Sequence, residues 1–217
     1  MFPVLLSLTL AGSSPSPWGL QMNKPAVLLA TMILSLIALS GFDSSFSLEK
    51  NFPVDLNGPD VLAFANLVGT VEIVREKFRS LSVAMPEETY PWQPMDGVRS
   101  VSEVYQHIAA DNFFVPTLMG ISAPPETGIN EDASTFRAFQ ERELTRDEVI
   151  ETVEASFEFL SRAMQATASD LDRHITLGTS ETTVGDVWIR AVVHLHEHLG
   201  QSIAYARTNR VIPPWSN

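Results

Sequence analysis

The chain has no cysteine in its 217 residues. That excludes disulfides, thiolate nucleophiles, cysteine zinc sites and a lipidated N-terminal cysteine, and it leaves the redox compartment unmarked. Charge is scarce too, at 18% of residues against about 25% in an average soluble chain. Lysine is the scarcest of the charged types and occurs only at Lys24, Lys50 and Lys77. With Lys+Arg of 14 against Asp+Glu of 26, the net charge is -12, a balance that repels phosphate backbones and argues against nucleic acid as a partner. Strand-like alternation of useful length is missing as well. What is present is a 45% hydrophobic share, enough to exclude a disordered chain and to build one core of ordinary domain size.

The apolar excess sits at the N-terminus. From Met1 to Phe42 the only charged side chain is Lys24, and the run Ala26 to Leu39 is apolar apart from Thr31 and Ser35. Translation from Met22 would make this a secretory signal peptide over residues 22–40. Lys24 is its basic end, and Ala38-Leu39-Ser40 is a small-residue cleavage site before Gly41. Residues 1–21 are then expected to be an untranslated upstream extension, and 41–56 a linker. The competing reading is an uncleaved anchor, but the run falls short of the roughly 20 residues that span a bilayer. Export to a periplasmic or extracellular location is the expectation, with no membrane attachment after cleavage.

Residues 57–217 read as a helical domain. Asn57 or Gly58 can cap a first helix, and Pro59 suits its first turn, where a missing N–H costs nothing. Phe64, Leu67, Val68, Val71, Val74, Phe78 and Leu81 then form one stripe at spacings of three and four. After a proline-rich link (Pro86, Pro91, Pro94), Ser100-x-x-Glu103 is a capping box. It opens a second helix whose inward face carries Val101, Val104, His107 and Ile108, and which is expected to close at Pro116. Residues 116–144 are rich in proline and glycine, with room for a short helix between Ser134 and Glu143; a connection of this length crosses a bundle rather than turning tightly. Thr145-x-x-Glu148 starts a third long helix with Val149, Val153, Phe157, Leu160, Met164 and Leu171. Thr182 or Thr183 starts a fourth, with Val184, Val187, Trp188, Ala191, His194, His198, Ser202 or Ile203, and Tyr205. The fold class is all-α, a four-helix bundle with a long crossover connection between helices 2 and 3. Trp92 and Trp188 read as packing residues, Pro213-Pro214-Trp215 as a chain terminator laid on the bundle, and Gly200 as a site of close helix approach.

Chemistry centres on the five histidines. On a helix His194 and His198 stand one above the other, so two imidazoles face one ion from the core-facing stripe. Burying them unpartnered among Val, Trp and Ala would cost on the order of a few kcal/mol. A metal ion is one answer, with His107 of the second helix supplying a third nitrogen and a position left open, as in catalytic sites. The other answer is a pair of core histidines satisfied by ordinary hydrogen bonds. His196 is rotated about 200° from His194 and should point outward; His174, in the link before the fourth helix, reads as solvated too. Glu197 is about 60° off the pair and suits a helix-face role. Asp111 and Gln201 lie on the ligand faces, where each could accept from an imidazole N–H, border the open position, or be an ordinary polar residue at a bundle edge.

Two stretches resemble a known family. The run Trp92-Gln93-Pro94-Met95-Asp96-Gly97-Val98-Arg99-Ser100-Val101-x-Glu103-Val104-x-x-His107-Ile108-Ala109-x-x-Asn112 is similar to the second-helix signature of DinB-like proteins. The tail His194-x-x-Glu197-His198-x-Gly200-Gln201-x-x-x-Tyr205-x-Arg207-x-x-x-x-Ile212-Pro213-Pro214 resembles that family's fourth helix and its exit. The resemblance spans about residues 52 to 216. It implies an up-down-down-up four-helix bundle and a divalent metal ion (Zn, Ni, Mn or Fe) held by three histidines, which map onto His107, His194 and His198. It also implies a small-molecule substrate, a homodimer as an assembly many members adopt, and metal-dependent hydrolase or thiol and group transferase chemistry. An exported N-terminus departs from any role that needs a cytoplasmic low-molecular-weight thiol. The alternative function is a non-catalytic bundle that binds a metal or a ligand.

Overall fold

The computed structural model describes residues 59–216. The expected upstream extension, signal peptide and linker, and the cap at Asn57 or Gly58, lie outside the described residues. Among the described residues, five helices carry the fold. They are α1 (Pro59–Ala84), α2 (Val101–Thr117), α3 (Ala133–Gln140), α4 (Arg146–Ala166) and α5 (Val184–Thr208). Single 3₁₀ turns stand at Glu87–Thr89, Pro125–Thr127 and Pro214–Ser216. Between α4 and α5 lies an antiparallel pair, β1 (His174–Leu177) and β2 (Ser180–Thr183). No helix among the described residues is long and apolar enough to cross a membrane.

The helix starts follow from local hydrogen bonding. Ser100 Oγ accepts from the Glu103 amide at 3.2 Å while Glu103 Oε2 accepts from the Ser100 amide at 2.7 Å, so two orphan donors at the head of α2 are satisfied reciprocally. Thr145 and Glu148 do the same for α4. Thr183 caps α5 by accepting from the Asp186 amide at 3.2 Å.

Apolar spacing then decides what packs on what. α1 meets α4 and α5, and α2 meets the same two helices, so α4 and α5 each bridge the first pair. The buried stripes interlock there. Phe78 of α1 stands edge-on to Tyr105 of α2 with centroids 6.2 Å apart and lies 5.7 Å from Phe157 of α4. Each fully buried side chain of this size contributes roughly 1.5–3 kcal/mol. Two buried polar pairs cross the bundle: Asn112 Nδ2 donates to Ser156 Oγ at 3.1 Å, and Trp188 Nε1 donates to Thr167 Oγ1 at 2.9 Å. In the connection after α2, α3 lies against α2, with Phe139 packed on Phe113 and Phe136 on Phe114.

Several local expectations change. The segment before α5 is a hairpin, because Gly178 takes φ +62 at the first position of a two-residue loop, a geometry that matches strand twist. Its strands are four residues each, too short for alternation to show. Leu171 lies beyond the end of α4; it packs on the core from a turn, and its carbonyl accepts from the Gly185 amide at 2.8 Å. Pro116 does sit where α2 closes, in its last turn, with the helix ending one residue later at Thr117. Gly200 is exposed and a Cβ there would meet nothing within 4 Å, so it does not serve close approach. Gly185 does, since a Cβ there would stand 3.3 Å from the Leu171 carbonyl oxygen.

Candidate metal centre

The α2–α5 contact brings the histidines together. On α2 the capping box fixes the start of the helix, Val104 and Ile108 anchor its inner face, and His107 between them is 2% exposed. On α5 the buried Leu195 and Leu199 hold the register, which leaves His194 and His198 half-buried one turn apart. Ring centroids lie 5.2 Å apart for His107 and His194, 4.7 Å for His107 and His198, and 4.4 Å for His194 and His198. One ring nitrogen of each falls within 4.8 Å of the others, so the three can hold one metal ion. His196 is exposed, with Nδ1 donating to the Val192 carbonyl at 2.8 Å, and His174 is exposed on β1. Glu197 is exposed; its Oε2 comes no nearer to His194 Nδ1 than 3.7 Å.

The hydrogen bonds around the rings assign their protons. Gln140 Oε1, at the end of α3, lies 3.0 Å from His107 Nδ1. An amide oxygen only accepts, so Nδ1 carries the proton and Nε2 keeps a lone pair. That lone pair is buried without a hydrogen-bond partner and stands 3.1 Å from Asp111 Oδ2. Two acceptors facing each other at that distance repel unless a cation lies between them, and this is where the residues fit a metal ion. Gln201 Oε1 accepts from His198 Nδ1 at 2.8 Å in the same way. Asp111 Oδ2 also accepts from His194 Nε2 at 2.8 Å, and His194 Nδ1 is buried without a partner. Such outer partners fix ring orientation and tautomer, which ligating histidines require.

Charge in the pocket is unevenly balanced. Burial pulls His107 down from 6.5 to about 4, against the attraction of Asp111, so its imidazole is neutral near pH 7. His198 is lowered too, by burial first and then by His194. Burial also works against a charge on His194, but the hydrogen bond to Asp111 and that carboxylate's charge outweigh it and raise its pKa. Asp111 is opposed by its own burial; attraction from His107 and His194 still holds its carboxyl below the ordinary value. The Arg99 guanidinium adds positive charge, disfavouring protonation of all three imidazoles.

Asp111 and Gln201 therefore touch the rings that their helical spacing aims them at. Gln140 was not legible as a site residue: it sits on the short helix expected between Ser134 and Glu143, but only the way that helix folds back on α2 carries it to His107. Trp92 also borders the region, edge-on to Tyr205 with centroids 5.2 Å apart. A family model for the DinB superfamily matches residues 70–202, a stretch that includes all three histidines, Asp111 and Gln140. No curated protein matches the chain.

Proposed function

The chain belongs to the DinB superfamily, and on that premise we propose that it is an exported metalloenzyme whose His107, His194 and His198 hold one divalent ion for hydrolysis or thiol and group transfer on a small molecule. The observation that carries this is the convergence of three imidazole nitrogens within 4.8 Å, two from α5 and one from α2. Zinc, nickel, manganese and iron all suit an imidazole and carboxylate donor set. When bound, such an ion supplies Lewis acidity toward an oxygen or sulfur nucleophile.

The chain's own residues prepare that chemistry. Gln140 and Gln201 accept from the Nδ1 protons of His107 and His198, which turns both Nε2 lone pairs away from those amides. Burial keeps His107 unprotonated at neutral pH, so no proton has to leave it before ligation. Asp111 supplies a compensating negative charge and a proton acceptor beside His194 Nε2. The helix contacts, with α4 and α5 each bridging α1 and α2, fit a four-helix scaffold, and membership of the DinB superfamily is what supports the up-down-down-up order. Export is supported by the signal-like stretch at 22–40, and a small-molecule rather than nucleic-acid partner by the net charge of -12.

A second, non-catalytic reading rests on Asp111. Its Oδ2 lies 3.1 Å from His107 Nε2 and 2.8 Å from His194 Nε2; with the His194 proton moved to Nδ1, the carboxylate is close enough to complete a closed set of four protein ligands, the mark of a structural ion. Anaerobic purification with elemental analysis, followed by a thiol and ester substrate screen, tests the proposal. The expected result is close to one ion per chain, turnover that stops on chelation, and a melting temperature that changes little. Collapse of the fold on chelation without turnover supports the structural reading, and absence of metal from native protein overturns both.

A further inference from the structure

Tyr205 lies one turn beyond Gln201 on α5, and its ring is buried at 7% exposure. Its hydroxyl touches two groups. Gln201 Nε2 donates to it at 3.0 Å, and it donates in turn to the backbone carbonyl of Arg99 at 3.1 Å, just ahead of the Ser100 cap of α2. Gln201 Oε1 meanwhile accepts from His198 Nδ1 at 2.8 Å.

The chain of bonds has a direction because one end of it cannot donate. A carbonyl oxygen has only lone pairs, so the Tyr205 proton must point at Arg99. The Tyr205 oxygen is then left to accept, and only the NH₂ side of the Gln201 amide can serve it. The amide oxygen must therefore face His198, whose Nδ1 must carry the proton, leaving the lone pair on Nε2. Flipping the Gln201 amide would reverse its links to His198 and Tyr205 and forfeit the bond to Arg99. We infer that Tyr205 is a positioning residue that, through Gln201, locks His198 in the Nδ1–H tautomer and so presents Nε2 for ligation. The inference deepens the metal reading and rests on it for its functional consequence, but the tautomer itself is a property of the metal-free protein. It also ties ligand geometry to the α2–α5 contact, since the anchor carbonyl belongs to the segment that leads into α2.

Long-range ¹H–¹⁵N correlation of the histidine ring nitrogens, recorded on metal-free protein at a pH where His198 is neutral, reads the tautomer directly. Wild-type protein should show His198 protonated at Nδ1. Tyr205→Phe keeps the ring and its contact with Trp92 but releases the amide, so His198 should become a mixture of tautomers, and metal affinity should fall about tenfold or more. Adding Gln201→Glu to Tyr205→Phe should restore the Nδ1–H form, because a carboxylate facing His198 has no donor to flip into place; a purely structural role for Tyr205 predicts no such rescue. A wild-type His198 protonated at Nε2 overturns the inference, even if the variants fail to fold. So does an unchanged tautomer in folded Tyr205→Phe. If the tautomers behave as stated but wild-type protein takes up no metal, the positioning chain stands and the metal reading falls.

Discussion

Asp111 Oδ2 stands 2.8 Å from His194 Nε2, and this contact between α2 and α5 sets how the site responds to acid. The Asp111 bond and charge raise His194, so of the three imidazoles it is the first to take a proton as pH falls, while burial holds His107 down to about 4. Metal release on acidification should therefore follow protonation of His194 first.

Asp111→Asn separates the two roles open to that carboxylate. If Asp111 stabilises the His194 imidazolium, removing its charge lowers the His194 pKa, and half-release of metal moves to lower pH. If Asp111 is itself a ligand, its loss weakens binding and half-release moves to higher pH. Metal occupancy measured against pH for wild type and variant checks the sign.

The stability of the metal-free protein should also carry the signature of these groups. His107 is protonated more readily unfolded, at about 6.5, than folded, at about 4, so its contribution is complete above about 6.5 and lost as pH falls from there to about 4. At most it amounts to about 3 kcal/mol. His198 is lowered and acts in the same direction. His194 is raised, so its contribution is complete below about 6.5 and disappears as pH rises through its folded value. Urea melts should give greatest stability near pH 6.5 and a decline toward pH 4, and His107→Asn should flatten that decline.

Gly200 and Gly185 predict opposite outcomes for the same substitution. Gly200 is an exposed helix-interior glycine with open space around it, so Gly200→Ala should stabilise by up to about 1 kcal/mol. At Gly185 the new Cβ would press on a Leu171 carbonyl that is already held by the Gly185 amide at 2.8 Å, so Gly185→Ala should destabilise. Denaturant midpoints at constant slope decide both.

Much of this was legible in the sequence where a local rule applied. The stripes from Phe64 to Leu81 and from Val149 to Met164 follow helical period, and both capping boxes are read from spacing alone. The same period separates the inward His194 and His198 from the outward His196. What depended on tertiary contact was not legible. Gly200 and Gly185 look alike in sequence, because a missing side chain does not say whether a neighbour is near. The strands of the hairpin are shorter than the window in which alternation shows, and Gly178 alone marks the turn. Gln140 becomes a partner of His107 only through the path of α3, and the directed bonds from Arg99 to His198 need the α2–α5 contact to exist.

Metal stoichiometry across single histidine variants tests the central claim most directly. Elemental analysis of folded His107→Ala, His194→Ala and His198→Ala should show loss of stoichiometric metal in each, while His196→Ala, which removes an exposed side chain from the same turn of α5, should retain it. Circular dichroism should show all four folded, because the apolar stripes of the long helices supply most of the stability. Full metal content in His107→Ala, or loss in His196→Ala equal to that in its neighbours, would contradict a site built by His107, His194 and His198.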